Sequence, residues 1–447
     1  MVRSSHLIGY ICIILCISPL AILGILVSSF GIFYKIAFEK KIDLFGIFIF
    51  LTPLIALKSF TDLNLEDDLF NFVTSDFRGW LAPYVTLTNS FILGPVNIST
   101  GLLAGMGVFV RLFLEKVNNF EAPLIYALWI IALILASIGL FWSYTQGYES
   151  PYGLTAGVRS ILAIGALLLP ILASKDDIEK DLAKIIKLSL LLYFSGLFSG
   201  HWFFITIAFP AIVLFNKFHI FWKLLSIVII FDLLFISFLE TSFTMIFIFI
   251  ASFLFLIFFQ KKRKVVKAQN IISVNKFILL FIILFPILFV LTLTQINLFL
   301  IGYEDTNLYF KLFEDREPIW NAAISQIVNS NFFWVPAGRE LIIQRELGPT
   351  IVWTSGAHNI FLTLGQFNGL FTSIIVLIIF IYLTQKYLSN LQVRCNKFII
   401  NSSYVLLAVY ATFGTSGQSL LYDGVGLMFW LLFGQLIRIN YNTRTNN

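Results

Sequence analysis

Apolar runs of transmembrane length recur from one end of this chain to the other. They fall at about 7–30, 42–57, 85–112, 123–141, 155–173, 186–199, 202–216, 221–239, 242–259, 277–300, 359–383, 398–413 and 424–437. About 18 or more consecutive apolar residues suffice for a helix to span a bilayer, and the shortest of these runs are short enough for half-helices or re-entrant pieces. Of the 447 residues 59% are hydrophobic, 50 are Phe and only 12% are charged. A soluble domain carries about 25% charged residues, and no soluble core could hide this much apolar surface. The expected fold is therefore an all-α polytopic integral membrane protein with about 12 or 13 transmembrane helices. With no internal repeat and no long linker, residues 1–447 are treated as a single membrane domain.

The net charge of +6 is not a nucleic-acid signal, because much of it lies in short connecting loops, where it sets orientation. No nucleic-acid partner is expected. Three cysteines are too few for a disulfide framework. Cys12, Cys16 and Cys395 have no metal-ligand spacing with the four histidines, so no metal site is expected. Arg3 precedes an apolar stretch with no small-residue cleavage site after it, which reads as an uncleaved first helix.

Basic loops orient the chain. "QKKRKVVK" (260–267), "QKYLSNLQVRCNK" (385–397) and the tail "RINYNTRTNN" are expected on the cytoplasmic side. Residues 301–357 then form a long external, periplasmic loop, with Lys311, Arg316, Arg339 and Arg345 against seven acidic residues. A short helix is expected in it near "REPIWNAAISQIV". Counting backward puts Lys217, Lys223 and 175–187 inside, and 58–84 and 142–158 outside. Thirteen spans would put the N-terminus outside, twelve inside.

The long loop ends on "SGAHNIFLTLGQFNGLFTS" (355–373), where an ionisable residue stands at the mouth of an apolar run. His358 and Asn359 open it, with Asn359 in place to cap the helix. Gly369 follows about three helical turns later, a spacing that would put it on the His358 face. From the residues alone, His358 reads equally well as an inert interfacial histidine.

"HNIFLTLGQFNGLFT" has His-Asn, nine residues, Gly, two residues and then Thr372. This resembles the motif of bacterial O-antigen ligases and the related O-antigen polymerases. "DREPIWNAA" supplies the arginine and tryptophan, Arg316 and Trp320, that the family shows in the preceding loop. "WVPAGRE" (334–340) stands where such proteins often have a Pro/Gly turn. The resemblance is specific over about 310–375 and architectural elsewhere. Where the family commonly shows a Ser-Arg pair, this chain reads "FLETSFTM" (238–245), with Glu240 and no arginine. Arg159 is the substitute candidate, with a snorkelling interfacial arginine as its plain alternative.

The resemblance implies a donor glycan on undecaprenyl diphosphate at the bacterial inner membrane. It implies an acceptor hydroxyl on lipid A–core (ligase) or on another lipid-linked glycan (polymerase). No cofactor and no metal are implied. Arginine suits the departing diphosphate, being always charged and able to make paired hydrogen bonds to phosphate. A histidine can take the acceptor proton. The implied roles are Arg316 as diphosphate clamp and His358 as base, with Arg159, Arg339, Asn359 and Gly369 as substrate-site candidates. For Arg316 the plain alternative is a weak surface pair with Glu314, Asp315 or Glu317. Arg345 and His201 are lesser candidates. Two other classes remain open. A polyprenyl-monophosphate-sugar glycosyltransferase would place its acid in an early external loop, where Glu66, Asp67 and Asp68 stand. A flippase or transporter would use an intramembrane charge, of which Asp232 is the clearest.

Overall fold

The computed structural model describes residues 4–16, 21–39, 42–61, 91–93, 96–98, 100–114, 123–145, 151–169, 178–193, 204–239, 243–265, 276–299, 316–329, 341–343, 351–353, 357–387, 397–416, 419–421 and 426–435. Helices make up nearly all of it. In chain order they are α1 (Ser4–Cys16), α2 (Ala21–Ala37), α3 (Leu44–Thr61), α4 (Thr100–Leu114), α5 (Pro123–Thr145), α6 (Pro151–Gly165), α7 (Ile178–Tyr193) and α8 (Phe204–Phe215). Then come α9 (Ile220–Leu239), α10 (Phe243–Val265), α11 (Lys276–Phe299), α12 (Glu317–Asn329), α13 (Ile360–Tyr387), α14 (Lys397–Ser416) and α15 (Gly426–Gln435). The expectation of helix throughout needs one amendment. Two antiparallel hairpins of three-residue strands occur, β1–β2 (Phe91–Leu93, Val96–Ile98) and β3–β4 (Leu341–Ile343, Ile351–Trp353). The first falls inside the apolar run 85–112, and the second lies in the long loop.

Among the described residues three helical stretches are long and apolar enough to cross a membrane: Leu124–Ser143, Ile360–Gln385 and Lys397–Thr415. The second is not a single rod. Gly369 has φ 80° and ψ 165°, outside any helix, in a region of backbone space that is essentially glycine's alone. Ser373 Oγ donates to the Phe361 carbonyl at 3.1 Å across twelve residues. In a straight helix those residues would stand about 18 Å apart. The second arm of α13 thus doubles back over the first in a sharp V, and Phe361 and Phe380 bring their rings to 6.3 Å.

The first apolar run also differs from expectation. Residues 7–30 read as one helix, whereas α1 and α2 are separate and antiparallel. His6, at the start of α1, meets Asp43 beyond the end of α2. Ser18 and Pro19 fall between the two helices, and proline cannot continue a helix without losing a hydrogen bond. The N-terminal end of α1 therefore lies on the same side as the α2–α3 connection.

Charge ties these first helices together. His6 Nε2 lies 2.6 Å and Lys35 Nζ 3.0 Å from Asp43 Oδ2, and Lys35 also reaches Glu39 at 3.0 Å. Arg111 of α4 donates to the Glu39 carbonyl just past the end of α2. Asp43 Oδ1 accepts from the Gly46 amide at 2.9 Å, capping α3. Burial alone would raise the Asp43 carboxyl, but the Gly46 amide, His6 and Lys35 outweigh it and hold the pKa at about 2. The ordinary value is 3.8, so this stabilisation is complete above about pH 4 and is lost as pH falls through about 2.

α14 carries the frame from end to end. At its start, Asn401 Nδ2 donates to Asn216 Oδ1 at 3.1 Å, and Phe398 packs on Phe218 in the α8–α9 turn. At its other end Gly414 lies against Ile360 and Pro286. Between them Trp430 of α15 stacks on Phe380 at 4.8 Å and donates from Nε1 to the Leu420 carbonyl at 2.8 Å.

Asp43→Asn leaves Lys35, only 2% exposed, without its buried anion. The expected loss is ~3–5 kcal/mol, read as a lower melting temperature in detergent. The double change Asp43→Asn with Lys35→Met should recover part of it, because the orphaned charge is gone.

Candidate functional site

Asn359 is buried and joins three helices. Its Oδ1 accepts from the amides of Phe361 at 3.0 Å and Leu362 at 3.2 Å, capping α13. Its Nδ2 donates to the Pro286 carbonyl of α11 at 2.9 Å and to the Thr415 carbonyl of α14 at 3.5 Å. The residue before it is thereby fixed. His358 adopts φ 51°, a left-handed conformation that is uncommon for a residue with a side chain. It costs of order 1–3 kcal/mol and persists only where the surroundings over-determine it. The imidazole is half-buried, with Nε2 enclosed.

α12 brings Arg316 and Trp320 to the same end. Trp320, 2% exposed, sets its ring edge-on to Phe289 at 6.0 Å. Phe289 lies one helical turn past the Pro286 carbonyl that Asn359 holds. Seven residues further along α12, Ile327 lies against Gly365 in the first arm of α13. α12 and that arm therefore run side by side in the same sense, their starts together. Arg316, half-exposed, immediately precedes α12, as His358 and Asn359 precede α13. Both helix N-termini turn their partial positive charge toward this end, that of α13 with its Phe361 and Leu362 amides already capped by Asn359.

The closed end of the V is held by α6. Asn368 Nδ2 lies 3.4 Å from both the Gly157 carbonyl and Ser160 Oγ. A methyl on Gly157 would fall 2.2 Å from Asn368 Oδ1, so only glycine permits this approach. Thr372 Oγ1 donates to the Asn368 carbonyl at 3.0 Å, so the motif's hydroxyl is spent within the bend.

The sequence candidates therefore separate. His358, Asn359 and Arg316 share one end. Gly369 does not lie on a helical face with His358. It is the bend itself, because the helix stops there and His358 precedes its first turn. Arg159 is 4% exposed, buried in the bundle rather than at an interfacial edge. It lies on α6 between Gly157 and Ser160, the residues that meet Asn368 at the closed end. Asp232 lies on the exposed side of α9, where its Oδ2 accepts from the Tyr193 hydroxyl at 2.5 Å. Arg339, Arg345, His201, Glu240, Glu66, Asp67 and Asp68 lie outside the described residues. Among the described residues no group of three or more His, Cys, Asp or Glu could hold a metal ion.

Asn368 and Ser373 were not singled out from sequence. A signal was present: Asn-Gly inside an apolar run marks a turn, and residues 368–369 carry it. Comparison with family models, curated proteins and solved structures gives no match.

Gly369→Ala should lower stability by roughly 1–3 kcal/mol, seen as a drop in melting temperature. Gly365→Ala, whose one close approach is to the flexible end of Ile327, with Ser373 Oγ at ordinary contact distance, should cost less than Gly369→Ala. Equal losses would mean that the bend is not what glycine supplies.

Proposed function

We propose that this chain is a multi-pass inner-membrane glycosyltransferase of the O-antigen ligase or polymerase type, with its site facing the periplasm. It would move a glycan from undecaprenyl diphosphate to a sugar hydroxyl on lipid A–core or on another lipid-linked glycan. Support for the membrane reading comes from the three apolar helices and from the apolar exposed faces of others, such as Phe231 and Phe235 on α9. The observation that carries the functional reading is the meeting of Arg316 and Trp320 with His358 and Asn359 at the start of two parallel helices. These are the residues by which the sequence resembles that family, and about forty residues of chain separate the two pairs.

In this reading the Arg316 guanidinium binds the diphosphate, the leaving group and the main concentration of negative charge, with the partial positive charge of the two helix N-termini beside it. His358, held in a strained backbone by the Asn359 tie, takes the proton of the acceptor hydroxyl. That oxygen forms a bond to the anomeric carbon as the bond to the diphosphate oxygen breaks. Attack from the side opposite the leaving group inverts the anomeric configuration. Stabilising the departing charge is the larger contribution, and a positioned base adds about 10²–10⁴ in rate.

His358→Ala should lower transfer by about 10²–10⁴ while the protein still folds. Arg316→Lys, which keeps charge but loses paired hydrogen bonding, should lose less than Arg316→Ala. The measurement is a gel profile of surface glycolipid from a deletion strain carrying each variant. One repeat left on the core indicates a polymerase; bare core with polymer accumulating on undecaprenyl diphosphate indicates a ligase. A normal ladder with His358→Ala makes the histidine structural and removes this mechanism.

A further inference from the structure

At the end of the bundle opposite His358, two segments separated by thirty residues converge on one basic corner. The first ten residues of α7 carry Lys180, Lys184 and Lys187 at spacings of four and three, on one exposed face. Its other face, with Leu182, Ile185, Ile186 and Leu190, is buried. The α8–α9 turn and the start of α9 add exposed Lys217 and half-buried Lys223. The two segments meet where Lys187 Nζ lies 5.6 Å from the Trp222 ring centroid. Lys184 Nζ lies 5.3 Å from the Phe45 ring of α3. Among the described residues the carboxylates on α7 are Glu179 and Asp181, the latter 3.4 Å from Lys184, and Asp176 and Asp177 precede the helix outside the described residues.

Directly beyond these cations the surface turns apolar and stays exposed. Past Lys223 on α9, Leu224 is 56%, Val228 52% and Phe231 68% exposed, and past Lys187 on α7, Leu191 is 49% exposed. A row of ammonium groups, an indole beside them and then bare aliphatic and aromatic side chains matches the cross-section of a phospholipid. Headgroup phosphate would meet the lysines and acyl chains the apolar band. A water-solvated charged face would show no such change to apolar surface within one or two helical turns.

From this we infer that the α7–α9 corner is a binding site for anionic glycerophospholipid of the membrane leaflet on that side. It rests on the membrane reading and not on the glycan chemistry, so it stands or falls apart from His358. Each lysine near an anionic surface contributes about fivefold in affinity. Clustering on two elements makes the site a local one rather than a diffuse effect of net charge.

The test is native mass spectrometry of the full-length protein released from micelles doped with equal phosphatidylglycerol and phosphatidylcholine. Wild type should retain phosphatidylglycerol over phosphatidylcholine by about tenfold or more. The fourfold change Lys180→Gln, Lys184→Gln, Lys187→Gln and Lys217→Gln should bring the two lipids to parity, and the same four positions as Arg should keep the preference. A charge-matched control, Lys261→Gln, Lys262→Gln, Arg263→Gln and Lys264→Gln, should leave it unchanged. An unchanged preference in the first variant, or an equal loss in the control, overturns the site. Displacement of the lipid by millimolar inorganic phosphate also overturns it, by showing a phosphate site without use of the apolar band.

Discussion

A backbone that breaks inside an apolar bundle must find new partners for the amides and carbonyls it frees, and α13 is where this chain meets that requirement. A bare break would leave several polar groups buried at a cost of ~1–3 kcal/mol each. Four side chains absorb it instead. Asn359 takes the first amides of the short arm and grips carbonyls on α11 and α14. Ser373 takes the Phe361 carbonyl, Thr372 the Asn368 carbonyl, and Asn368 reaches α6. The V is consequently a fixed piece, tied at its open end to two helices and at its closed end to a third. The unusual backbone of His358 is a product of that tying.

The bundle divides its polar chemistry by location. At one end a buried ionic group, His6, Lys35, Glu39, Asp43 and Arg111, binds α1, α2, α3 and α4. Breaking such a group is costly while making it contributes little net energy, so its service is to fix how the helices align. Its neighbour α7 presents lysines on the outer surface of the same end. Along α13 the ties made by Asn359, Asn368, Thr372 and Ser373 are neutral amides and hydroxyls, and Arg316 and His358 are half-exposed.

Much of this was legible in the residues. Helical architecture followed from run length, and the helix at 317–329 from the pattern around Trp320. The capping role of Asn359 followed from its place before an apolar run. Three features were not read correctly. Residues 7–30 contain no charge to divide them, and only Ser18-Pro19 marks the division. Gly369 was given a face because helical spacing presumes an unbroken helix, although Asn368-Gly369 is itself a turn signal. Arg159 was placed at an interface by its distance from the helix start, while packing puts it inside.

The sequence by itself determined that this chain is built of apolar helices, where most of them lie, and that Asn359 caps one of them. Those properties are local: hydropathy, spacing and capping act over a few turns. Tertiary structure alone decided that α13 doubles back, that Arg316 and His358 start parallel helices at one end, and that Arg159 is buried. Each of these depends on contacts between segments tens to hundreds of residues apart, such as Asn368 with Gly157 and Asn359 with Pro286. No local periodicity encodes which distant carbonyl an amide will find.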